Sequence, residues 1–416
     1  MNNNTPNNGS PRRMTISELL GKSSTVCPVC GSNQDDIMDA VKAGCAHCYT
    51  TFASVLAPQI ERLHAAQLPE PSEQERLLLH DYPTYGDIAV SSRIRLARNF
   101  AELPFPGAMS AAQAQRAFDQ VSEYLGGSSG MFHIVDIGVA KQTAGHMAAS
   151  LLERHLISKE LYHKEAFAGA AISSDETASV MINEEDHLRI QALGEGLSLG
   201  SCLETVERLE TLLSSHFNFA YDEELGWLTR CPTNLGTGLR ASVMLHLPAH
   251  TDSGNIHRLT ARLARSGYTI RGYYGEGTKP IGRLYQISNQ VTMGLSIRDI
   301  VTKLNALVLG IINDEHNIQR ALDSNHPGFI EDRVWRAYGL LSNARKLDSD
   351  EAMTLLSLVR VGVSIGQYNI PTHNIDNLIH RIQPNTLCFE AGRELNELEM
   401  QQYRADIIRQ EIQIER

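Results

Sequence analysis

The pattern of apolar and polar positions changes along the chain and predicts a core of mixed helices and strands. From Asp87 to about residue 320, short apolar runs typical of buried strands alternate with longer segments that have helical spacing. The strand candidates are "DIAVSS", "FHIVDIG", "SVMIN", "ASVMLHLP" and "YTIRGYYG", and "SCLETVERLETLLSSHF" is a predicted helix. From "HPGFIEDR" (326–333) onwards helical patterns dominate, which indicates a separate last region.

The residues before this core differ from it in composition. Residues 1–13 are polar and of low complexity, so we expect disorder at the start of the chain. A helical stretch, "TFASVLAPQIERLHAAQ", follows a cysteine cluster, and "LPEPSEQER" has the composition of a linker. The predicted division is a disordered tail (1–24), a cysteine module with a helix (25–67), a linker (68–84), a catalytic core (85–322) and a helical region (323–416).

Composition excludes several classes of function. The 416 residues are 42% hydrophobic and 20% charged, and no apolar run approaches the length of a membrane span. Arg12 and Arg13 are not followed by an apolar segment, so we expect no export signal. The net charge of −11 argues against a general nucleic-acid binder. The seven cysteines do not form a secreted disulfide framework, which favours a reducing cytoplasm.

Four of the cysteines predict a metal site. Cys27 and Cys30 form one CxxC pair, Cys45 and Cys48 form another, and fourteen residues separate the pairs. Two such turns can direct four thiolates at one ion in a tetrahedral shell, which favours Zn²⁺ over iron or a redox pair. Four thiolates leave no open coordination position, so the predicted zinc is structural.

Charged residues concentrate in four stretches of the predicted core: 91–99, 179–191, 229–248 and 271–290. Singly, each has an ordinary interpretation as a solvated strand face, a charged turn or a plain glycine-rich loop. Together they offer several arginines and two acidic sites, and phosphoryl transfer needs fixed positive charge and a carboxylate that orients the nucleophile. No P-loop motif and no HRD…DFG arrangement is present, so an ordinary protein kinase is not expected.

Five ordered motifs within these stretches resemble the phosphagen (guanidino) kinase family: "SSRIRLAR", "NEEDHLR", "CPTNLGTGLRASV", "RGYYGEG" and "QISNQ". Within it, "ERHLIS" and "RASVMLHLPA" resemble the bacterial protein arginine kinase branch, the McsB type. The segment "CPVCG…GCAHCYTTF" is similar to the zinc-binding activator of that kinase, the McsA type. The resemblance implies an α+β fold: an antiparallel sheet flanked by helices, with an amino-terminal zinc module and a carboxy-terminal helical domain that forms a homodimer.

The resemblance also implies roles for individual residues. Glu185 and Glu276 match the two carboxylates that face the guanidinium, and Cys231 matches a reactive cysteine that tunes activity without forming a covalent intermediate. Glu184 and Asp186 match positions that lie near Mg²⁺ through water. The residues assigned to ATP are Ser91, Arg93, Arg95, His155, Arg189, Arg240 and Arg271.

Kinases of free guanidino compounds carry an all-helical domain of roughly a hundred residues before the first motif, and this chain has no room for one. We therefore expect arginine side chains of proteins as the substrate, with a free guanidino compound as one alternative. The other is an adaptor that recruits a Clp-type unfoldase; in either case the family suggests delivery to a Clp-type protease.

Two departures from the family pattern stand out. Met400 and Gln401 replace the Arg and Asp of a phosphoarginine-binding motif, which makes phosphoarginine feedback doubtful. Residues 278–280 ("TKP") stand where the branch often has an acid.

Overall fold

A computed structural model describes residues 25–127, 130–143, 145–273 and 281–413. The tail predicted to be disordered (1–24) lies outside the described residues. Ten strands are described: β1 Ala89–Arg98, β2 Phe132–Asp136, β3 Gly169–Ser173, β4 Ala178–Ile182, β5 Leu188–Glu195, β6 Tyr221–Asp222, β7 Gly226–Trp227, β8 Leu239–His246, β9 Tyr268–Gly272 and β10 Leu284–Asn289. Eight of them form one sheet in the order β2-β3-β4-β5-β1-β8-β10-β9, and β6 and β7 form a small ribbon.

All neighbouring strands of the large sheet are antiparallel, as the resemblance implied. The apolar runs that predicted strands do form β2, β4, β8 and β9, and "DIAVSS" forms the start of the longer β1. Antiparallel strands place side chains alternately on the two faces of a sheet. One face can therefore be largely apolar while the other carries most of the charged residues.

Helices flank the sheet on both faces and dominate the two ends of the chain. The described helices are α1 Gln34–Ala40, α2 His47–Thr51, α3 Ala53–Leu63, α4 Glu73–Leu77, α5 Ala111–Gly127, α6 Ile137–Thr143, α7 Gly145–Glu153, α8 Lys159–Tyr162, α9 Leu199–Ser214, α10 Pro248–Asp252, α11 Ile256–Arg265, α12 Ile297–Asn325, α13 Phe329–Asn343, α14 Ser349–Ser364, α15 Thr372–Arg381, α16 Pro384–Ala391 and α17 Glu397–Glu411. Within the described residues, none of these helices is long and apolar enough to cross a membrane.

The apolar face of the sheet packs against α9 and α12. Ile94 and Leu96 of β1 are fully buried there with Val243 of β8, together with Leu203 of α9 and Leu304 of α12. Burying such side chains stabilises the fold by about 1.5–3 kcal/mol each. This core holds one face of the sheet against α9 and α12, so the opposite face is the one that can carry a functional site.

The opposite face is covered at both ends and not in the middle. Met181 of β4 packs with α6, α7 and α8, whereas Met244 of β8 and Tyr273 pack with the carboxy-terminal helices α13 to α17. Buried Glu153 at the end of α7 accepts hydrogen bonds from the backbone nitrogens of Asn385 and Thr386 at the start of α16. The two covers are therefore joined beside the central strands.

The stretch predicted to be a linker has structure of its own. Ser72 begins α4 with a capping box, and Glu75 of that helix pairs with Lys303 of α12 at 3.0 Å. Asn305 donates to the carbonyl of Leu78 at 2.6 Å. The composition of this stretch predicts only a linker, because it carries no signal for these polar contacts with α12.

Candidate active site

Strand register brings four of the predicted arginines together. Arg93 and Arg95 alternate on one face of β1, and Arg95 lies opposite Arg240 of β8. On the other side of β1, Ala97 lies opposite Arg189 of β5. Residues opposite each other in antiparallel strands share a face. All four guanidinium groups therefore extend from the same side of the sheet.

Arg271 joins them from the sheet edge. It lies opposite Gln286 of β10, and Gln286 lies opposite Met244 of β8. Met244 is four positions from Arg240 on the same strand and so shares its face. We call this side, defined by Arg93, Arg95, Arg189, Arg240 and Arg271, the arginine face. Its side chains are half-buried.

Positive charge is concentrated on the arginine face. Burial and the neighbouring Arg189 lower the pKa of Arg93 to about 10. Burial, then Arg93, Arg189 and Arg240, hold the pKa of Arg95 well below its ordinary value. Among the described residues, the buried Nε atoms of Arg93 and Arg95 have no hydrogen-bond partner. A polyanion such as a nucleoside triphosphate would relieve the repulsion between these arginines and supply hydrogen-bond acceptors for the two Nε atoms.

Ser91 and His155 lie beside these arginines. Ser91 precedes Arg93 on the same face of β1. His155 adopts a left-handed backbone (φ 62°), and its ring packs edge-on to Tyr273 with centroids 5.0 Å apart. Burial, followed by His380, Arg93 and Arg95, holds the pKa of His155 well below 6.5, so the ring is neutral. Its buried Nε2 has no partner within the described part of the chain.

The acids after β4 form a turn, residues 183–186, which we call the acid turn. Glu184 is buried, accepts from Ser158 and pairs with Arg189 at 2.8 Å. Its pKa is lowered: burial opposes ionisation, but Arg189 and the Ser158 hydroxyl outweigh it. Asp186 is also buried and accepts from Asn99 Nδ2 at 2.6 Å, and burial raises its pKa to about 6.

Glu185 differs from both neighbours because its side chain reaches the surface. It retains 20% of its side-chain exposure, and its Oε1 lies 3.0 Å from Lys42 Nζ. Within the acid turn, Glu185 is thus the carboxylate that a ligand from outside can reach. The positions predicted to lie near Mg²⁺, Glu184 and Asp186, are engaged by protein groups, and that role stays a prediction.

Cys231 lies on a loop that is tied to the acid turn. The loop spans 229–236, and we call it the cysteine loop. Arg230 N donates to Asp186 Oδ1 at 2.7 Å, and the Cys231 thiol lies half-buried 3.0 Å from Thr233 Oγ1. Gly236 (φ 88°) closes the loop where an added Cβ would meet the Thr292 carbonyl oxygen at 2.4 Å. Cys231 and Glu185 thus sit on two connected segments.

The second predicted carboxylate, Glu276, lies outside the described residues, and so does the departure at 278–280. The strand that leads to them ends at Gly272, and Arg271 on that strand belongs to the arginine face. The catalytic and binding roles of all these residues stay predictions.

The four amino-terminal cysteines fit a single zinc ion. Their sulfur atoms all lie within 4.8 Å of one another, with Cys30–Cys48 at 3.4 Å, Cys27–Cys45 at 3.6 Å and Cys45–Cys48 at 3.8 Å. Four thiolates around Zn²⁺ at a bond length of about 2.3 Å would be about 3.8 Å apart. Donation by the Cys48 thiol lowers the pKa of Cys45 to about 5, which favours the thiolate that zinc binds.

Residues 25–67, the zinc module, dock against the cysteine loop. Tyr49 and Phe52 share a buried core with Phe105 and Leu235, and the Tyr49 hydroxyl donates to the Thr229 carbonyl at 2.7 Å. The CxxC spacing predicted the metal but carried no signal for this contact. The contact of Lys42 with Glu185 likewise could not be found from motif reasoning.

Comparison with known proteins agrees with this architecture. Residues 120–318 match the ATP:guanido phosphotransferase C-terminal catalytic domain, 327–416 the protein-arginine kinase McsB C-terminal domain, and 25–68 the McsA central zinc-finger domain. A protein-arginine kinase of Symbiobacterium thermophilum is 44% identical over 335 residues, which cover 78% of this chain and 93% of that protein. The chain belongs to the protein-arginine kinase family.

Other members of the family and a solved structure extend the comparison. The protein-arginine kinase of Caldanaerobacter subterraneus subsp. tengcongensis is 40% identical over 77% of this chain and 96% of its own length. The crystal structure of lombricine kinase superposes with a TM-score of 0.60 at 22% identity, over 72% of this chain and 88% of that one, which shows the fold. The family resemblance, the fold class and the phosphotransferase class with a guanidino acceptor are confirmed, as are ATP, Mg²⁺ and structural Zn²⁺.

Proposed function

We propose that this chain transfers the γ-phosphoryl group of MgATP to the guanidinium of arginine side chains in proteins. The observation that carries the proposal is the arginine face beside the accessible carboxylate of Glu185. The names of the curated relatives support proteins as the source of the arginine.

The arginine face would bind and orient the phosphates. Each charge-assisted hydrogen bond to a phosphate oxygen contributes roughly 1.5–3 kcal/mol. Strand register already places the arginines together, so little rearrangement of the protein is needed when the phosphates bind. Arg240 illustrates this fixation, since its Nη2 donates to Ser288 Oγ at 2.9 Å. Bound Mg²⁺ would supply further positive charge to the phosphate oxygens.

Glu185 would prepare the acceptor. A guanidinium has a pKa above about 12, so it arrives protonated and is a poor nucleophile. A carboxylate that accepts hydrogen bonds from it can align one nitrogen with the γ-phosphorus and take up the departing proton. The new bond joins that nitrogen to phosphorus, the bond from phosphorus to the bridging oxygen breaks, and ADP leaves. We assign Glu276 as the second such carboxylate from the resemblance alone.

The elements that precede β1 favour arginine in proteins over free arginine as the substrate. The described residues there form the zinc module and α4, whereas free-guanidine kinases have an all-helical domain in this position. A pocket bordered by the zinc module at this position would admit a side chain that is still attached to a protein.

The first experiment measures acid-labile phosphate on arginine after incubation of the full chain with MgATP and casein. We expect phosphoarginine with the wild type and a loss of about 10²–10⁴-fold with Glu185→Gln, because general-base and orienting contributions have this size. Glu207→Gln, which disturbs an exposed ion pair with Arg298, is the matched control and should retain full activity. Equal activity of Glu185→Gln and wild type would remove Glu185 from the mechanism, and turnover of free arginine alone would favour the free-guanidine alternative.

The cellular context is proposed from the resemblance. Modified proteins would pass to a Clp-type protease in the cytoplasm, and the chain would form a homodimer through the region 323–416. Exposed Phe329, Trp335 and Leu340 on α13 support such a contact. The adaptor alternative would require binding without ATP turnover, and the arrangement of the arginine face argues against it.

Regulation by phosphoarginine is not part of the proposal. Gln401 donates to Glu397 at 3.0 Å, and Arg404 donates to the backbone carbonyls of Ile382 and Leu347 at 3.0 and 2.8 Å. Arg404 is thus engaged within the fold, and Met400 supplies no cation. These contacts support the loss of feedback in this chain.

A further inference from the structure

The zinc module reaches the acceptor carboxylate directly. Lys42 lies between α1 and the second CxxC pair, and its Nζ is 3.0 Å from Oε1 of Glu185. The lysine side chain is 40% exposed and the glutamate 20% exposed, so the contact lies at the mouth of the site. A cation that belongs to the chain itself therefore pairs with the group that we assign to the acceptor.

Two hydrogen bonds between the zinc module and the core position Lys42. The next residue, Ala43, donates its backbone N–H to the Arg230 carbonyl at 2.8 Å, and the Gly44 carbonyl accepts from Phe105 N at 2.7 Å. Arg230 N in turn donates to Asp186, the neighbour of Glu185. The backbone beside Lys42 is thereby connected, through Arg230, to the backbone beside Glu185. Backbone contacts as well as the flexible lysine side chain therefore position the ion pair.

Zinc ligands reinforce this position. Gly44 packs so closely inside the module that an added Cβ would meet Ser32 Oγ at 2.2 Å and Cys30 Sγ at 2.8 Å. Cys45 follows immediately and belongs to the four-sulfur cluster. The metal cluster therefore holds the short segment that carries Lys42.

Other charged groups surround the same pair. Lys164 is close enough that Arg230 and Lys42 help to lower its pKa, after burial, while Glu184 and Glu185 oppose that shift. In the part of the chain that the structure describes, Glu185 forms an ion pair with Lys42 and none with Lys164. Among these cations, Lys42 is the one paired with Glu185.

We propose that Lys42 is a competing residue that occupies the place at Glu185 which the acceptor guanidinium must take. The proposal rests on the assignment of Glu185 under the proposed function. An arginine can displace the lysine because its planar fork binds a carboxylate through two parallel hydrogen bonds, whereas an ammonium acts as a point charge. Lys42 would thus weaken the binding of every acceptor at Glu185 by the same factor, so weakly bound cations would leave Glu185 paired with the lysine.

The first test compares steady-state kinetics of the full-length wild type and Lys42→Met with casein as the acceptor. We expect KM for casein to fall by about threefold, the size expected for loss of a partly exposed competing ion pair, with KM for MgATP unchanged. Lys303→Met is the matched control, because it also removes a 3.0 Å lysine–glutamate pair but lies on α12; its KM values should equal those of the wild type. An unchanged or higher KM for casein in Lys42→Met would overturn the proposal.

The second test replaces the lysine with the acceptor group itself. In Lys42→Arg we expect phosphate on residue 42 by mass spectrometry under non-acidic conditions, formed at a rate independent of enzyme concentration. If this variant phosphorylates casein but not residue 42, the side chain does not reach the acceptor position and the proposal is wrong. If the wild type forms no phosphoarginine on any acceptor, the proposed function itself fails, and the role of Lys42 fails with it.

Discussion

The two sides of the site are built differently. The arginines of one side all lie on strands of a single sheet, whereas the carboxylate of the other side, Glu185, lies on a turn that the zinc module contacts. The arginine face is fixed by backbone register from β5 to β9. Glu185 depends on the acid turn, the cysteine loop and the zinc module, which meet through a few hydrogen bonds and a small apolar core. The side that we assign to the nucleotide is thus held by the sheet itself, whereas the side that we assign to the acceptor can shift with the zinc module.

The largest expected effect lies on the side that we assign to the nucleotide. Arg95 is at the centre of the arginine face, opposite Arg240, and Arg95→Met would remove a fixed cation from the phosphates. We expect kcat/KM for MgATP to fall by about 10²–10³-fold, the effect typical of losing one preorganised charge contact. Arg95→Lys should recover only part of this loss, because an ammonium cannot reproduce the fork. Wild-type kinetics in Arg95→Met would contradict the assignment of this face to the nucleotide.

An intermediate effect is expected when the zinc module is loosened. Chelation of zinc, or Cys30→Ser, should release the contacts of Tyr49 and Ala43 with the cysteine loop. We expect phosphorylation of casein to slow by roughly tenfold through lost positioning of Glu185 and Cys231. The dissociation constant of MgATP, measured by calorimetry, should stay within about twofold. A tenfold loss of MgATP affinity would show that the zinc module also supports the arginine face, and would contradict this prediction.

The third effect concerns stability and not turnover: we expect a pH dependence of the free energy of unfolding at the acid turn. Burial raises the pKa of Asp186 from 3.8 to about 6, so the folded chain favours its protonated form. The resulting stabilisation is present below pH 4 and is lost as the pH rises through about 6. Relative to the wild type, Asp186→Asn should therefore gain up to about 2–3 kcal/mol in free energy of unfolding between pH 4 and pH 7. Chemical denaturation across this range measures the gain.

The control for that measurement is Asp119→Asn, a substitution of the same kind on the exposed side of α5. A pH-independent difference between Asp186→Asn and the wild type would mean that the Asp186 carboxyl titrates as an ordinary exposed acid.

Much of the nucleotide side could be predicted from the sequence. The alternation in "SRIRL" is enough to put Arg93 and Arg95 on one face of a strand, and the apolar run before "NEEDH" predicts that the acids follow a buried strand. Which strands become neighbours is a property of the whole chain. Nothing local indicates that Arg95 will lie opposite Arg240, and only the family resemblance joined these residues in advance.

The acceptor side was less predictable because tertiary contacts decide it. Three consecutive acids look equivalent in the sequence, yet Glu184 and Asp186 are buried by protein partners and Glu185 is accessible. Likewise, the spacing of cysteines predicts a metal but not the surface on which its module docks. The contact of Lys42 with Glu185 depends on that docking.

The most direct test of the account is a crystal structure of the full chain with MgADP, a planar mimic of the phosphoryl group and an arginine-containing peptide. We expect the phosphate oxygens on Arg95 and Arg240, and the peptide guanidinium on Glu185 with Lys42 displaced from it. Nucleotide bound away from the arginine face, or a guanidinium that does not contact Glu185, would contradict the account.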